Sequence, residues 1–320
     1  MKNKLIEVTD LKVSFFHETG KVQVVRGFDM SLDSGEIIGI LGESGSGKTV
    51  SATSILKLEE DDVGIIDSGE VIFKGMHLLD LSETELRKIR GNRISYIFQN
   101  ASSALNPFKR IGKQLTEVLK NHKLAYSKEL VLQTLVEVGI EDADTVYDMY
   151  PFQLSGGQNQ RIMIAQCIIS RPDLLIADEP TSSIDASLRK IVLDVLKEIN
   201  RKTRMSIIII THDFDVAKYL CDRLVIMYGG LVVEEGTIDE IFADPLHPYT
   251  KELIICAGSL TRGDDIVYTL EGSPPSPFQF RDECPFANRC KVSLPECSSE
   301  IPRTLEIAGR KVRCVRYEKR

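Results

Sequence analysis

Gly42-Glu43-Ser44-Gly45-Ser46-Gly47-Lys48-Thr49 is the stretch from which the rest of this chain can be read. It has the G-x-x-x-x-G-K-[ST] spacing of a nucleotide P-loop. Its flanks agree with that reading. Glu36–Leu41, EIIGIL, reads as a short buried strand, and Val50–Leu58 reads as a helix. Small residues let the backbone curl so that successive N–H groups point inward, and with the helix N-terminus they can hold a β-phosphate. Lys48 is then expected at the β- and γ-phosphates, and the Thr49 hydroxyl on Mg²⁺. The bland alternative is a glycine-rich turn with no ligand.

Working outward, Leu5–Phe16 and Val22–Leu32 read as strands before the loop. An aromatic there can stack on an adenine ring. Phe15 is the candidate and Phe16 the rival, since strand neighbours face opposite ways; a plain core phenylalanine is the alternative. After the loop come a strand at Glu70–Lys74, a helix at Ser82–Arg90 capped by Ser82 with Glu85, and a strand at Arg93–Phe98 ending on Gln99. Gln99, at a strand end, can reach Mg²⁺ or water. Residues 100 to 150 contain helical patterns at Ile111–Asn121 and Ser127–Gly139 and no strand run, so they read as a helical insert.

Leu154-Ser155-Gly156-Gly157-Gln158 precedes a helix over Gln158–Ser170. Ser155 sits where an N-cap belongs, and the glycines allow close approach to a phosphate. One domain rarely needs two such sites for one nucleotide. The economical reading is that this one serves a nucleotide held by a partner; a decorative turn is the alternative. Leu174–Glu179 is a buried strand ending in two carboxylates. Asp178 is placed to hold Mg²⁺, and Glu179 to orient or deprotonate an attacking water. Asp185 lies in the turn before a helix at Ser187–Asn200. The β-branched run Ser206–Ile210 ends at Thr211-His212-Asp213, which directs His212 toward the crevice of Lys48 and Glu179. A structural histidine is the alternative. A strand pair at Arg223–Met227 and Leu231–Glu234 closes on the turn Tyr228-Gly229-Gly230.

The chain has 320 residues, 42% of them hydrophobic, and a formal net charge of -7. That balance argues against broad nucleic-acid binding. No apolar run approaches the roughly 20 residues of a membrane span, and MKNKLIEVTD lacks a secretory h-region. The expectation is a cytosolic protein, docked on something in a membrane. Of seven cysteines, Cys284-x5-Cys290-x6-Cys297-x16-Cys314 crowd the end of the chain. Four thiols in a loop-rich tail suggest a staple. Disulfides fit poorly with a reducing compartment, zinc lacks its usual tight cysteine pair, and a [4Fe–4S] cluster suits wider spacing; unoccupied thiols stay open.

These motifs, in this order, resemble the ATP-hydrolysing subunits of ABC transporters. The likeness runs through Walker A (Gly42–Thr49), the glutamine loop (Gln99), the signature (Leu154–Gln158), Walker B (Leu174–Glu179), the aspartate loop (Ser182–Asp185) and the switch histidine (His212). Within them the chain resembles the oligopeptide/dipeptide and nickel permease ATPases, through Ala104-Leu105-Asn106-Pro107, His247-Pro248-Tyr249-Thr250 and Cys-Pro-Phe-Ala-Asn-Arg-Cys at 284–290. The aspartate loop reads Ser-Ser-Ile-Asp where many relatives have Ser-Ala-Leu-Asp.

The resemblance implies an α/β fold, a RecA-like P-loop NTPase domain over 1–255 with a helical subdomain at about 100–165, and a small cysteine-rich extension over 256–320. It implies ATP, Mg²⁺ held by Thr49, Gln99 and Asp178, and a [4Fe–4S] cluster on the four tail cysteines. Glu179, His212 and Gln99 are implied as catalytic. The nucleotide is implied to contact Phe15, Gly42–Thr49 and Asp185, with Ser155, Gly156, Gly157 and Gln158 contributed across a head-to-tail pair. Implied partners are a second, related ATPase, two membrane permeases, and through them an extracellular binding protein; no nucleic acid is expected. The expected work is powering peptide import at the cytoplasmic face of the membrane. Nickel or metallophore cargo is the nearest alternative. A soluble ABC protein acting on ribosomes or nucleic acid is the alternative of another class.

Overall fold

The computed structural model describes residues 4–18, 20–59, 63–99, 104–182, 186–262 and 269–318. Two long strands come first, β1 (Lys4–His17) and β2 (Gly20–Asp33), where alternating patterning asks for them. The apolar run of β3 (Ile37–Leu41) is buried at every position, as a strand covered on both faces must be. The P-loop leads into α1 (Lys48–Ser54), which starts two residues before the expected Val50 and stops well before Leu58. Its end has a local cause. The Thr53 and Ser54 hydroxyls lie 2.7 and 2.6 Å from one Glu59 carboxylate oxygen, and Lys57 turns to φ 49°.

Next is β4 (Gly64–Phe73), longer than the expected Glu70–Lys74, with the short β5 (Met76–His77) beside it. Asp67-Ser68-Gly69 carries turn residues and hides the strand from sequence reading. It forms because β1 supplies an antiparallel partner from Ile6↔Phe73 to Phe15↔Gly64. The pairing shifts register around Lys12. There Asp10 takes φ 44°, and Gly69 passes so close that a Cβ would sit 2.5 Å from Leu11 Cα.

The chain continues through α2 (Glu83–Ile89), with the expected Ser82–Glu85 capping box, and β6 (Ile94–Ile97). Then come α3 (Ile111–Asn121), α4 (Lys128–Glu137), α5 (Ala143–Asp148) and α6 (Gly156–Ile168). After β7 (Leu174–Asp178) follow α7 (Ala186–Thr203), β8 (Ser206–Thr211) and α8 (Phe214–Leu220). The hairpin of β9 (Arg223–Tyr228) and β10 (Leu231–Thr237) turns at Gly229-Gly230 as expected. Two helices, α9 (Ile238–Ala243) and α10 (Pro248–Arg262), precede the tail.

These elements form two compact units. One comprises Asp33–Ile37 and Asp80–Ile209. In it the strand order is β8-β7-β6, with β6 and β7 parallel from Ile94↔Leu174 to Ile97↔Ala177. Helices α3 to α6 pack together, and no strand lies among the described residues between 104 and 150. Gly112 lets α5 close in: a Cβ there would meet the Tyr147 ring at 2.4 Å. Gln114, buried on α3, holds the loop before it. Its Oε1 accepts from Asn106 N–H at 2.9 Å, and its Nε2 lies 3.0 and 2.9 Å from the carbonyls of Asn106 and Lys109.

The other unit comprises Lys4–Leu32, Ile38–Leu79 and Ile210–Arg320. It holds a four-stranded sheet, order β2-β1-β4-β5, and the strands β11-β12-β10-β9-β3. Here β11 (Thr304–Ile307) and β12 (Arg310–Arg313) belong to the tail, which sequence reading treats as loop. They form a hairpin, and β12 pairs antiparallel with β10 through Glu234↔Val312 and Glu235↔Lys311. Four-residue strands of mixed charge carry almost no periodic signal; the open edge of β10 makes them strands.

Candidate nucleotide and catalytic site

The P-loop stores its cation inside itself. Lys48 is buried, and its Nζ donates to the carbonyls of Gly42 at 2.7 Å and Glu43 at 2.8 Å. Ser44 and Gly45 form the exposed crest, Ser46 and Gly47 lie beneath it, and Thr49 faces solvent. The glycines are required by space. Gly47 turns to φ 96° with Val24 O 3.2 Å from where a Cβ would be, and at Gly42 a Cβ would sit 2.2 Å from Met227 O. An exposed crest over a buried ammonium suits a polyphosphate that arrives from solvent and draws the lysine off its carbonyls.

Glu43 is gripped twice. Its N–H donates to the Tyr249 hydroxyl at 2.9 Å. Its carboxylate takes a two-pronged ion pair from Arg289, at 2.6 and 3.1 Å. The His-Pro-Tyr-Thr motif is therefore packing for the loop. His247 is buried, and its Nδ1 accepts from Tyr249 N–H at 3.1 Å. Burial pushes that imidazole down to about 3, so it is neutral with its proton on Nε2. Burial likewise pushes the Tyr249 phenol well above its ordinary range. Phe286, from the tail, packs edge-on to Tyr228 and against Tyr249 and His247. Beneath them Glu234 is fully buried. It accepts from Leu246 N–H at 2.7 Å, His247 N–H at 2.8 Å and Arg310 Nη2 at 2.7 Å.

In the same unit Phe15 is half-buried against Gly64, and Phe16, its rival, is 54% exposed. His212 is exposed just after β8, followed by Asp213, whose carboxylate caps α8 by accepting from Asp215 and Val216 N–H.

The four tail cysteines require a correction. An iron–sulfur cluster, or any metal site built on them, is not supported: no group of three or more His, Cys, Asp or Glu among the described residues is placed to hold a metal ion. The thiols serve as packing. Cys284, Cys297 and Cys314 are buried and all four are free. Burial pushes the Cys284 thiol up to about 12. Cys297 Sγ accepts from Leu294 N–H at 3.4 Å, and its carbonyl accepts from Cys284 N–H at 2.9 Å. The staple inferred from cysteine spacing is made instead by Phe286, the Glu234–Arg310 pair and the β12 edge.

The other unit carries the carboxylates and the signature. Asp178 ends β7, 2% exposed, with Tyr96 Oη 3.3 Å from its Oδ2. Glu179, the next residue, has φ 51°, a left-handed conformation that costs a glutamate energy. Ser182 N–H and Oγ both donate to the Glu179 carbonyl, at 3.2 and 3.0 Å. Ser155 caps α6 as expected. Gln158 is its capping-box partner, each side chain bonded to the other's N–H at 3.2 and 2.9 Å. Ser155 and Gly156 are exposed, while Gly157 is buried with Leu188 3.0 Å from where a Cβ would be. Gln99 is exposed beyond β6. Asp185 lies outside the described residues.

Gln160 is the residue that sequence reading misses here. It is buried, and its Nε2 donates to Pro180 O at 2.6 Å, tying the signature helix to the turn after Glu179. A polar residue on an otherwise apolar helix face is the only signal it leaves.

Residues 25–182 match the family model described as "ABC transporter", and residues 233–297 match "Oligopeptide/dipeptide transporter, C-terminal region". The chain is 39% identical over 318 residues to the oligopeptide transport ATP-binding protein AppD of Bacillus subtilis, covering 98% of this chain and 97% of that one. It is 41% identical over 315 residues to the dipeptide transport ATP-binding protein DppD of the same organism, covering 97% and 94%. Among solved structures it is similar to the dimeric ATP-binding cassette MJ0796 bound to ADP and Pi, at TM-score 0.64 and 26% identity, covering 73% of this chain and 98% of that one.

Proposed function

This chain belongs to the ABC transporter ATP-binding subunits of the oligopeptide/dipeptide permease family, and from that premise we propose how its residues divide the work of driving peptide import. It is an ATPase of the P-loop NTPase fold with an inserted helical subdomain. It works with a paired ATPase and membrane permease components, and no helix among the described residues is long and apolar enough to cross a membrane.

Gly42–Thr49 take the phosphates, with Lys48 leaving the carbonyls of Gly42 and Glu43 for the β- and γ-oxygens. Phe15 takes the adenine face. Thr49, Asp178 and Gln99 offer hydroxyl, carboxylate and amide oxygens, a donor set that suits a hard cation. Mg²⁺, when bound, spreads the negative charge of the phosphates. Water attacks the γ-phosphorus as its bond to the bridging oxygen breaks; the Glu179 carboxylate takes the water's proton, and ADP leaves. His212 holds the water or the γ-phosphate. The paired ATPase, a related but distinct chain, closes the site with its own signature Ser and Gly residues, while Ser155, Gly156 and Gly157 of this chain close the partner's site and Gln158 braces that helix start. Asp185 belongs to the same closure.

Residues 1–255 act as the nucleotide-binding domain, and 256–320 as its extension. The helical subdomain at about 100–165 receives the permeases, and Phe108 (89% exposed) and Phe152 (73%) on it support that. An extracellular binding protein delivers the peptide, and this subunit sits peripherally on the cytoplasmic face.

Glu179 carries the reading: a general base held in a strained backbone, directly after a buried carboxylate strand. Glu179→Gln is expected to bind ATP and hydrolyse it at under about 1% of the parent rate, because the base is lost and the pocket kept. Nucleotide occupancy and phosphate release from the reconstituted transporter measure both. Unimpaired hydrolysis would assign the base elsewhere.

A further inference from the structure

We propose that Arg289, in the tail, is a positioning residue for ATP: it holds the P-loop in its receptive shape by clamping Glu43. The proposal rests on the loop being the nucleotide site. Four observations carry it. First, Arg289 has a 7% exposed side chain, and Glu43 a 24% exposed one, so the pair is shielded from water. Second, every donor of the guanidinium has a partner. Nε donates to Glu271 O at 2.9 Å. Nη1 reaches Glu43 Oε2 at 2.6 Å and Tyr228 Oη at 3.0 Å. Nη2 reaches Glu43 Oε1 at 3.1 Å and Leu270 O at 3.4 Å. Burial works against the charge, and the bonds to Glu43 and Tyr228 outweigh it.

Third, the clamped residue is adjacent to the working parts. Glu43's own carbonyl accepts from Lys48 Nζ, and Ser46 N–H donates to the same carbonyl at 3.2 Å. Moving Glu43 therefore moves the lysine and the crest together. Fourth, the clamp is anchored from outside the loop. Arg289 lies just beyond Phe286, which is buried against Tyr228 and Tyr249, and its guanidinium stands 5.7 Å from the Tyr228 ring centroid. The tail thus reaches the nucleotide loop by a planar, bidentate contact that lysine cannot reproduce.

The test measures Mg-ATP binding to the purified full-length chain, with ATP turnover of the assembled transporter alongside. Arg289→Gln and Arg289→Lys are expected to weaken ATP binding about ten-fold, because the two-pronged contact that fixes Glu43 is lost. KM should rise, and kcat should fall by less than about two-fold. Glu43→Gln should do the same. The double variant Glu43→Gln/Arg289→Gln should be no worse than either single one, because both act through one contact. If Arg289→Gln does not fold, Glu43→Gln decides the matter from the other end of the bridge. Lys48→Ala separates the two levels of inference. If it leaves ATP binding unchanged, the nucleotide reading fails. If it abolishes binding while Arg289→Gln or Glu43→Gln binds like the parent, the clamp alone is wrong. Additive losses in the double variant would also overturn it.

Discussion

Removing Arg310 should unseat the tail, and the structure sets the size of the effect. Glu234 is fully buried and Arg310 nearly so, at 2.7 Å. Breaking a buried pair from one side costs about 3–5 kcal/mol, because a charge is left behind. Two features pull Arg310→Ala toward the low end. Glu234 keeps its bonds from Leu246 and His247 N–H, which go on stabilising the carboxylate. The space left by the side chain also admits water. The loss of the Arg310 bond to Asp244 O, 2.8 Å, works the other way. The expected cost is about 3 kcal/mol. For a chain of this size that corresponds to a melting midpoint lower by about 4–5 °C. Differential scanning calorimetry of the full chain reads it directly. Removing the carboxylate as well gives no rescue: Glu234→Leu/Arg310→Leu buries no charge but strips Leu246 and His247 N–H of their acceptor, so it should be no more stable than Arg310→Ala. A midpoint within about 2 °C of the parent for Arg310→Ala would refute the reasoning.

Two further outcomes follow from the same geometry. His247 is neutral when folded, its pKa lowered to about 3 by burial, and in the unfolded chain it takes a proton below about 6.5. The unfolded state therefore binds the extra proton, and stability drops as pH falls from about 6.5 toward 3, by about 1.4 kcal/mol per unit. His247→Gln should flatten that slope between pH 6.5 and 5; parallel melting curves for variant and parent would reject it. Gln160→Ala leaves the Pro180 carbonyl without its buried donor, so it should cost about 1–2 kcal/mol. It should also slow ATP turnover several-fold while leaving ATP affinity unchanged, and a normal turnover number would show that the tie does not position Glu179.

Much of the site was legible because its chemistry is local. Ser155 as an N-cap, the carboxylates closing β7 and the glycines of the P-loop are each decided within a few residues of chain. Long apolar runs such as β3 and β8 announce themselves for the same reason. What stayed hidden depends on partners far along the sequence. β4 needs β1 to override its turn residues, and β12 needs the edge of β10. Arg289 lies 246 positions from Glu43 and gives no hint of it. The cysteine spacing misled because spacing records how many residues separate thiols, not whether their sulfurs converge.

The strand that completes β10 is made last. Glu234 and Arg310 are 76 residues apart, and at about 5–20 residues per second roughly 4–15 s pass between their synthesis. During that interval the growing chain holds an acidic residue whose countercharge does not yet exist, beside a strand with a bare hydrogen-bonding rim. Biogenesis of this subunit therefore has a built-in waiting period, and a ribosome that stalls before codon 310 releases a product open to the wrong neighbour.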